Sequence, residues 1–291
     1  MIVSFHPIYE ADRNIICAGR EPGDSDLEAI GRASAVILPQ GCGRSLYRMA
    51  RDNCPNVFPL MDPRFDYPGK VGQARLFATL GVDHPKTLAF GSLAEFQKRF
   101  PGRSVAEAIC YPMILKLDWG GEGETVFPID GPGQLSLAIK KAAKFEESGR
   151  PGFVIQQLVP CRNRCLRVVV IGRRLLSYWR RLDSEKPQPA NLRQGAFLDH
   201  FSAPRLQRAG RLAVAGLCRQ AGIQLAGFDL LFNQEELARG KIRPLFLEIN
   251  YYFGRSGLGG SEDFYRLLVA EIDAWLGRRG LKVASEPSPS N

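Results

Sequence analysis

Short apolar runs alternate with helical stretches over the first sixty-odd residues. Strands are predicted at residues 1–5, 14–19, 35–40 and 56–60, and helices at residues 24–34 and 44–52. Strands that alternate with helices favour a parallel sheet with helical cover. We therefore expect residues 1 to about 65 to form a small N-terminal α/β domain.

The pattern changes after a turn-rich passage at residues 61–70. Beyond it, helices are predicted at 71–80, 92–100, 132–147, 203–221 and 262–277, and strands at 111–118, 125–129, 152–160, 165–172, 174–181, 225–232 and 243–250. A polar loop at 182–197 follows a predicted hairpin. The overall fold class is α/β (α+β).

Domain boundaries follow from these elements. We predict a second domain over residues 66–281, divided into a first subdomain at 66–155 and a second at 156–281. Residues 282–291 are rich in serine and proline, and we expect this tail to be disordered.

Composition places the chain among globular proteins and narrows its location. It has 291 residues, of which 45% are hydrophobic and 24% charged, and no run approaches the roughly 18 apolar residues of a membrane helix. No basic segment followed by an apolar one opens the sequence, so we expect a cytoplasmic protein. Seven scattered cysteines argue against a disulfide framework, and Cys161 and Cys165 lack the second ligand pair of a zinc site.

The formal net charge of +9 is compatible with nucleic acid, an acidic membrane surface or an anionic small molecule as partner. Arginines cluster between residues 162 and 193, several of them in predicted strands. The guanidinium fork matches phosphate and carboxylate groups, and no cluster of base-stacking aromatic residues accompanies it. We therefore expect a site for a small anion, with neither a nucleic acid nor a membrane as partner.

Acidic and amide side chains interrupt two neighbouring apolar strands. Glu248 and Asn250 are two apart in "LFLEIN", so they share a face of the strand. Taken alone, this hexapeptide is better explained by a strand that ends at the surface, with both side chains in solvent, than by a binding site. Asp229 interrupts the preceding strand, and the link between the two strands suits an antiparallel return. Three hard oxygen donors at one end of a sheet suit Mg²⁺ or Mn²⁺ bound together with phosphates.

A lysine and a glycine-rich turn form a second candidate site. Lys116 lies among apolar residues in "MILKLD", where an unpaired ammonium group is costly. Either an anionic partner binds it, or its long aliphatic side chain carries the ammonium group from an edge strand to the surface. The glycines at 120–123 stand between two strands, which argues against the dinucleotide and Walker motifs because those require a helix behind the glycines. This turn is a simple connection or a loop that folds over phosphates.

In their order along the chain these motifs resemble the ATP-grasp superfamily. The similarity runs from about Lys70 to Trp275 and is greatest to the carboxylate–amine ligases of the RimK-like, ribosomal-protein glutamate ligase subgroup. The resemblance implies an ATP-grasp fold preceded by a small pre-ATP-grasp domain. It also implies that ATP and one or two Mg²⁺ or Mn²⁺ ions bind between the two subdomains.

The resemblance assigns roles to individual residues. The residues implied to bind the phosphates of the nucleotide are Lys70, Lys116, Gly120, Gly121 and Gly123. Those implied to bind the adenine are Gln156, Gln157, Leu158 and Val159. Catalytic positions near the phosphates and the acyl group are Arg167, Arg181 and Asn191. Metal ligands are Asp229, Glu248 and Asn250.

The implied activity is an ATP-dependent carboxylate–amine, or thiol, ligase that forms an acylphosphate and then an amide. Its partners are a small carboxylate and an amine, such as an amino acid or a peptide, and a homodimer is compatible with the resemblance. Alternatives are an ATP-grasp kinase, a non-catalytic ATP-binding module and, on charge alone, a nucleic-acid-binding protein. The segment 251–260, "YYFGRSGLGG", differs from the usual sequence of relatives, so we expect a distinctive acceptor pocket.

Overall fold

Three β-sheets organise the chain in a computed structural model, which describes residues 1–102, 104–120, 125–181 and 197–283. The first sheet has the strand order β2-β1-β3-β4, and every pair in it is parallel, as predicted. Its elements are β1 (Ile2–Ser4), β2 (Arg13–Asn14), α1 (Asp24–Gly31), β3 (Ala35–Ile37), α2 (Arg44–Asn53) and β4 (Val57–Phe58).

A second sheet has the order β5-β8-β6-β7, with antiparallel pairing throughout. Its elements are β5 (Thr87–Phe90), α5 (Leu93–Arg99), β6 (Met113–Leu117), β7 (Val126–Ile129), α6 (Pro132–Glu147) and β8 (Phe153–Gln157). Apolar side chains such as Phe90, Met113 and Phe153 pack against both helices in a core of their own. Lys116 therefore lies in a central strand of this sheet.

The third sheet has the order β11-β10-β9-β12-β13, again antiparallel. Its elements are β9 (Arg164–Ile171), β10 (Arg174–Arg181), β11 (Phe197–Asp199), α7 (Pro204–Ala221), β12 (Leu225–Leu231), α8 (Gln234–Ala238), β13 (Leu245–Asn250) and α9 (Gly260–Gly277). The predicted hairpin and the antiparallel return to β13 are both confirmed. Residue 197, which the sequence assigned to a loop, instead begins the edge strand β11; residues 182–196 lie outside the described ranges.

The two faces of the third sheet pack against different elements. Leu166, Val168 and Phe228 contact the apolar stripe of α7 in one cluster. On the opposite face, Val169 and Ile171 contact α9 and the first sheet in another. The face of the third sheet that carries Asp229 is therefore covered by α9 and the first sheet around Val169 and Ile171. Its other end carries Arg167 and Asp229.

Two helices occupy the passage that the sequence analysis assigned to turns. They are α3 (Asp62–Asp66) and α4 (Gly69–Leu80), so α4 begins two residues earlier than predicted and includes Lys70. The Asp118 carboxylate, at the end of β6, accepts a hydrogen bond of 2.7 Å from the Val71 amide and caps the helix. Gly69 has φ +69°, and a Cβ there would lie 2.4 Å from this carboxylate. Only glycine fits both the backbone and the close approach.

Candidate active site

A row of charged residues crosses three strands of the third sheet. Arg167 on β9 is paired in register with Asp229 on β12, and Asp229 with Glu248 on β13. Residues paired in this way project from the same face. Asn250 pairs with Gly227, two residues from Asp229, and therefore shares that face. The structure brings together the three predicted metal ligands and Arg167.

Asp229 is enclosed by cationic and amide donors. Arg167 donates to both of its oxygens at 2.6 and 3.0 Å, Arg180 at 3.3 Å and Asn250 at 3.2 Å. Asp229 and Arg167 are each only 6% exposed. Burial alone would raise the pKa of Asp229, but the two guanidinium groups outweigh it and hold that pKa below its ordinary value. Asp229 is a carboxylate at neutral pH.

Gly227 makes room for this arrangement. A Cβ at Gly227 would lie 3.1 Å from Arg167 Nη1 and 3.2 Å from the Cβ of Phe253. Both contacts are tighter than ordinary packing, so a side chain here would displace the guanidinium group or the segment after β13. The glycine therefore sets the position of Arg167 beside Asp229.

Glu248 lies where the second and third sheets face each other. Burial raises the pKa of Glu248, Asp229 raises it further, and the ammonium groups of Lys70 and Lys116 oppose the shift. Glu248, both lysines and Gln156 line one small cavity of about 20 Å³. Glu248 of the third sheet therefore meets Lys116 of the second sheet and Lys70 of α4 at a common point.

Lys116 is oriented by a short hydrogen-bond chain. Its Nζ donates to Gln156 Oε1 at 2.7 Å, and Gln156 Nε2 donates to Thr87 Oγ1 at 2.9 Å. Burial lowers the pKa of Lys116 to about 8, although Glu248 opposes the shift. Because Gln156, its acceptor among the described residues, is uncharged, the ammonium group retains the capacity to bind an anion.

Lys70 contacts the start of the glycine-rich turn. Its Nζ donates to the carbonyl of Gly120 at 3.1 Å, and Gly120 has φ +99°. Gly121 and Gly123 lie outside the described residues. The first lysine and the beginning of the turn are thus adjacent, on the side of the second sheet that carries Lys116.

Gln73, which the sequence analysis did not identify, joins α4 to β13. Its amide nitrogen donates to the carbonyl of Ile249, and its amide oxygen accepts from the Ile249 N–H, both at 2.8 Å. These bonds hold the helix that carries Lys70 beside the strand that carries Glu248. The available signal was a glutamine four residues before Phe77, on the apolar side of the helix.

The structure separates Arg181 from this cluster. Arg180 pairs with Cys165 on the face of Asp229, whereas Arg181 lies on the other face and forms an ion pair with Asp199 at 3.4 Å. Alternation along a strand reverses the side with each residue, and the sequence did not reveal which of the two arginines faces inward. Arg180 therefore occupies the place predicted for Arg181. Asn191, the third predicted catalytic residue, lies outside the described ranges.

The segment predicted to bind adenine leaves the second sheet at β8. The Gln157 amide donates to the Lys86 carbonyl at 2.9 Å, and the Leu158 amide donates to the Pro112 carbonyl at 3.4 Å. Val159 is buried in an apolar cluster with Cys161, Cys165, Leu231 and Leu245. The amides of Gln157 and Leu158 are therefore engaged within the protein, and Gln156 lies in β8, which is paired on both sides.

Comparison with known proteins identifies the fold. No family model matches the chain, and no curated protein matches it in sequence. Solved structures do: a RimK-domain ATP-grasp protein from Sphaerobacter thermophilus superposes with a TM-score of 0.57 at 13% identity, over 93% of this chain and 98% of that one. The chain has the ATP-grasp fold. The predicted fold class is confirmed.

Other ATP-grasp structures are similar to a comparable degree. D-alanine–D-alanine ligase from Bacillus anthracis gives a TM-score of 0.59 at 13% identity, over 92% of this chain and 86% of that one. The purK N5-carboxyaminoimidazole ribonucleotide synthetase, solved with ADP, gives 0.55 at 11% identity, over 84% of this chain. This chain spans only 60% of the length of that synthetase.

The candidate metal ligands of this chain fit a hard divalent cation. Within the described ranges no group of three His, Cys, Asp or Glu side chains is placed to hold a metal ion, so the candidate set is two carboxylates and one amide. Asp229 and Glu248 face each other across β12 and β13, and Asp229 raises the pKa of Glu248, a repulsion that a cation between them would relieve. Oxygen donors of this kind suit Mg²⁺ or Mn²⁺.

No helix of the described chain is long and apolar enough to cross a membrane.

Proposed function

We propose that this chain is an ATP-dependent carboxylate–amine, or thiol, ligase. The observation that carries the proposal is the meeting of Lys70 and Lys116 with the row of Arg167, Asp229 and Glu248 at one gap between two sheets. Phosphoryl transfer requires chiefly positioning and neutralisation of charge, and this set of residues supplies both. The similarity to ATP-grasp ligases supports the same reading.

ATP binds between the second and third sheets in this proposal. Lys70, Lys116 and Gly120, together with Gly121 and Gly123, hold the phosphates. Gln156, Gln157, Leu158 and Val159 border the adenine. Because the amides of Gln157 and Leu158 donate within the protein, we assign the ring contact to the amide of Val159.

Asp229, Glu248 and Asn250 would hold Mg²⁺ or Mn²⁺, which, when bound, neutralises charge on the phosphates. The guanidinium groups of Arg167 and Arg180 keep Asp229 ionised and add positive charge at the same point. Asn250 donates its amide N–H to Asp229, so its oxygen is the atom left to act as a ligand.

The reaction has two steps. A carboxylate oxygen of the substrate attacks the γ-phosphorus of ATP, and the bond between the γ-phosphorus and the β-phosphate oxygen breaks. ADP is released, and the substrate is now an acylphosphate. The amine nitrogen then attacks the acyl carbon, inorganic phosphate leaves, and the nitrogen loses a proton to solvent. Lys116 and Arg167 bind the charge that develops in the first step, with Arg180 in the role that the sequence gave to Arg181. Asn191 is proposed to contact the acyl group.

The partners in this proposal are a small carboxylate and a small amine, such as an amino acid or a peptide. The cluster of arginines supports an anionic substrate. We also propose a cytoplasmic location, because all seven cysteines are unpaired, as a reducing compartment favours.

Trapping of the acylphosphate tests this function. The protein is incubated with MgATP, hydroxylamine as the amine, and pools of amino acids and dicarboxylic acids, and both hydroxamate and ADP are measured. We expect equal amounts of the two products, and a loss of about 100-fold or more in the Glu248→Gln and Arg180→Ala variants. Arg181→Ala is the matched control, and it should retain activity because Arg181 pairs with Asp199 on the other face.

Two results would contradict the proposal. ADP formed together with a phosphorylated product that hydroxylamine does not cleave would identify a kinase. Tight binding of ATP without any turnover in the presence of every pool would identify a non-catalytic binding module.

A further inference from the structure

The positive charge of the chain is concentrated in one segment. Residues 161–220 contain twelve arginines, one lysine and three acidic residues, so this segment carries all of the formal net charge of +9. The rest of the chain is close to neutral. Such an asymmetry is typical of proteins that bind a polyanion. Because the guanidinium group is planar and weakly hydrated, the preference for arginine over lysine favours binding to phosphates and stacking on flat rings.

A row of two arginines and a phenylalanine crosses the end of the third sheet. Arg164 on β9 is opposite Arg181 on β10, and Arg181 is opposite Phe197 on β11. Residues that are opposite in register project from the same face. Arg164 and Arg167 are three apart on one strand, so this face is the reverse of the one that carries Arg167 and Asp229. The row is therefore separate from the candidate active site.

Arg164 is held in place by a buried tryptophan. Its guanidinium carbon lies 4.5 Å from the centre of the Trp179 ring, and the indole N–H of Trp179 donates to the carbonyl of Ser202 at 2.8 Å. The Nε of Arg164 is buried and has no hydrogen-bond partner among the described residues. Burial and the charges of Arg162 and Arg181 lower the pKa of Arg164. A phosphate group bound among these three guanidinium groups would relieve their repulsion.

Little negative charge opposes these arginines. Within the described part of the chain, the one ion pair of the three guanidinium groups joins Arg181 to Asp199, at 3.4 Å. The other oxygen of Asp199 accepts from the amides of Phe201 and Ser202 at 3.0 and 2.9 Å, so this carboxylate is shared with the turn before α7. The first turn of α7 contains the exposed Arg205 and no acidic residue. This face therefore keeps an excess of positive charge.

Two exposed aromatic rings accompany the arginines. Phe197 is 64% exposed and Phe201 is 89% exposed. Exposed aromatic rings beside guanidinium groups are the combination with which proteins bind single strands, because every base has a flat face that stacks on a ring. In the sequence, residues 182–196 separate Phe197 from Arg181, and the pairing of β11 with β10 brings the two together.

We propose that the arginine face, which we define as Arg162, Arg164, Arg181, Arg205, Phe197 and Phe201, binds single-stranded nucleic acid. The arginines bind successive phosphates of the strand, and the two rings stack on its bases. A duplex binds less well, because its bases are not free to stack on the rings. The expectation of no nucleic-acid partner rested on the absence of aromatic residues among the arginines in sequence, and the position of Phe197 removes that ground.

The test is an anisotropy titration of the full chain with a fluorescein-labelled oligonucleotide of about twelve nucleotides, as a single strand and as a duplex, at about 50 and 200 mM salt. Poly-L-glutamate and ADP are added as competitors. Phe201→Ala has Leu137→Ala as its matched control, since Leu137 on α6 is also largely exposed, at 61%. Arg181→Gln has Arg32→Gln as its control, at an exposed arginine of α1, because both changes alter the net charge equally.

We expect the single strand to bind more tightly than the duplex, and to bind about tenfold or more weakly at the higher salt concentration. Phe201→Ala should weaken binding about fivefold or more without changing the salt dependence, because it removes a stacking contact. Arg181→Gln should weaken binding and also reduce the salt dependence, because one phosphate contact is lost. Both control variants should bind as the wild type does.

Four results would overturn the proposed surface. These are no binding of the single strand, binding of the duplex that is as tight, displacement of the strand by poly-L-glutamate at equal charge, and equal affinities of Phe201→Ala and Leu137→Ala. Displacement of the strand by ADP would place it in the nucleotide site between the second and third sheets, and would refute a separate surface.

Discussion

Burial opposes the charge of both Lys116 and Glu248 in the candidate site. Burial lowers the pKa of Lys116 to about 8 and raises that of Glu248, and each residue partly offsets the shift of the other. Opposite charges buried near each other in this way contribute little to stability, because desolvation offsets their attraction. We infer that these two residues serve to bind a charged ligand.

The pKa of Lys116 has a measurable consequence for stability. Below pH 8 the amine is protonated in both the folded and the unfolded chain, and the cost of burying its charge is fully present. Between pH 8 and the ordinary value of 10.5 only the folded chain has released the proton, so this group makes the free energy of unfolding rise with pH. Denaturant unfolding over pH 7–10 should show this rise in the wild type.

Two variants isolate that contribution. Lys116→Met should abolish the rise between pH 8 and 10, and Lys98→Met, at an exposed lysine of α5, should leave it intact. The same rise in Lys116→Met and in the wild type would show that Lys116 titrates normally.

The choice between Arg180 and Arg181 shows which features of the site can be predicted from residue type and spacing and which cannot. The residue types and their spacing allowed Asp229, Glu248 and Asn250 to be grouped from sequence, because positions two apart share a face whatever the partner strand. The inward side of β10 depends on its pairing with β9, which is a non-local interaction. Asp118 and Gln73 were missed for the same reason: their partners lie on other elements.

At the scale of elements, α4 determines the distance between the two halves of the site. Asp118 of the second sheet caps its amino end, and Gln73 joins it to β13 of the third sheet. The sequence predicted this helix from Val71, because the glycine and proline before it indicate a turn. The cap from Asp118, distant in sequence, allows the helix to begin at Gly69.

Removal of the Gln73 side chain should therefore affect both stability and nucleotide binding. Gln73→Ala leaves the N–H and carbonyl of Ile249 without these partners at the edge of the sheet. We expect the free energy of unfolding to fall by about 1–3 kcal/mol. The affinity for ADP should also fall, because Lys70 is less well positioned. Denaturant unfolding and calorimetric titration with ADP measure the two effects.

Arg75→Ala is the control on the same helix. Arg75 is 55% exposed and its ion pair with Glu95 is long, at 3.6 Å, so its loss should change stability by less than about 1 kcal/mol. Equal effects of Gln73→Ala and Arg75→Ala would show that the contact with Ile249 does not hold the helix in place.

At the scale of the whole molecule, the second sheet has a separate core, whereas the first and third sheets share theirs. Local periodicity predicted most strands of these sheets, but it did not predict β5 or β11, and it placed the second strand at 14–19 where the structure has β2 at Arg13–Asn14. It did not predict which sheets share a core, because that depends on residues far apart in sequence, such as Ile2 and Ile272, that belong to one cluster. The candidate site lies between the second and third sheets, so a nucleotide bound there would join two separately packed units.

ATP is proposed to bind between these sheets together with a metal held by Glu248. Calorimetric titration of ADP into the wild type and Glu248→Gln, each with and without Mg²⁺, tests it most directly. We predict that Mg²⁺ increases the ADP affinity of the wild type about tenfold or more, and that Glu248→Gln binds ADP without this increase. An equal increase in both proteins, or no binding of ADP to the wild type, would contradict the account.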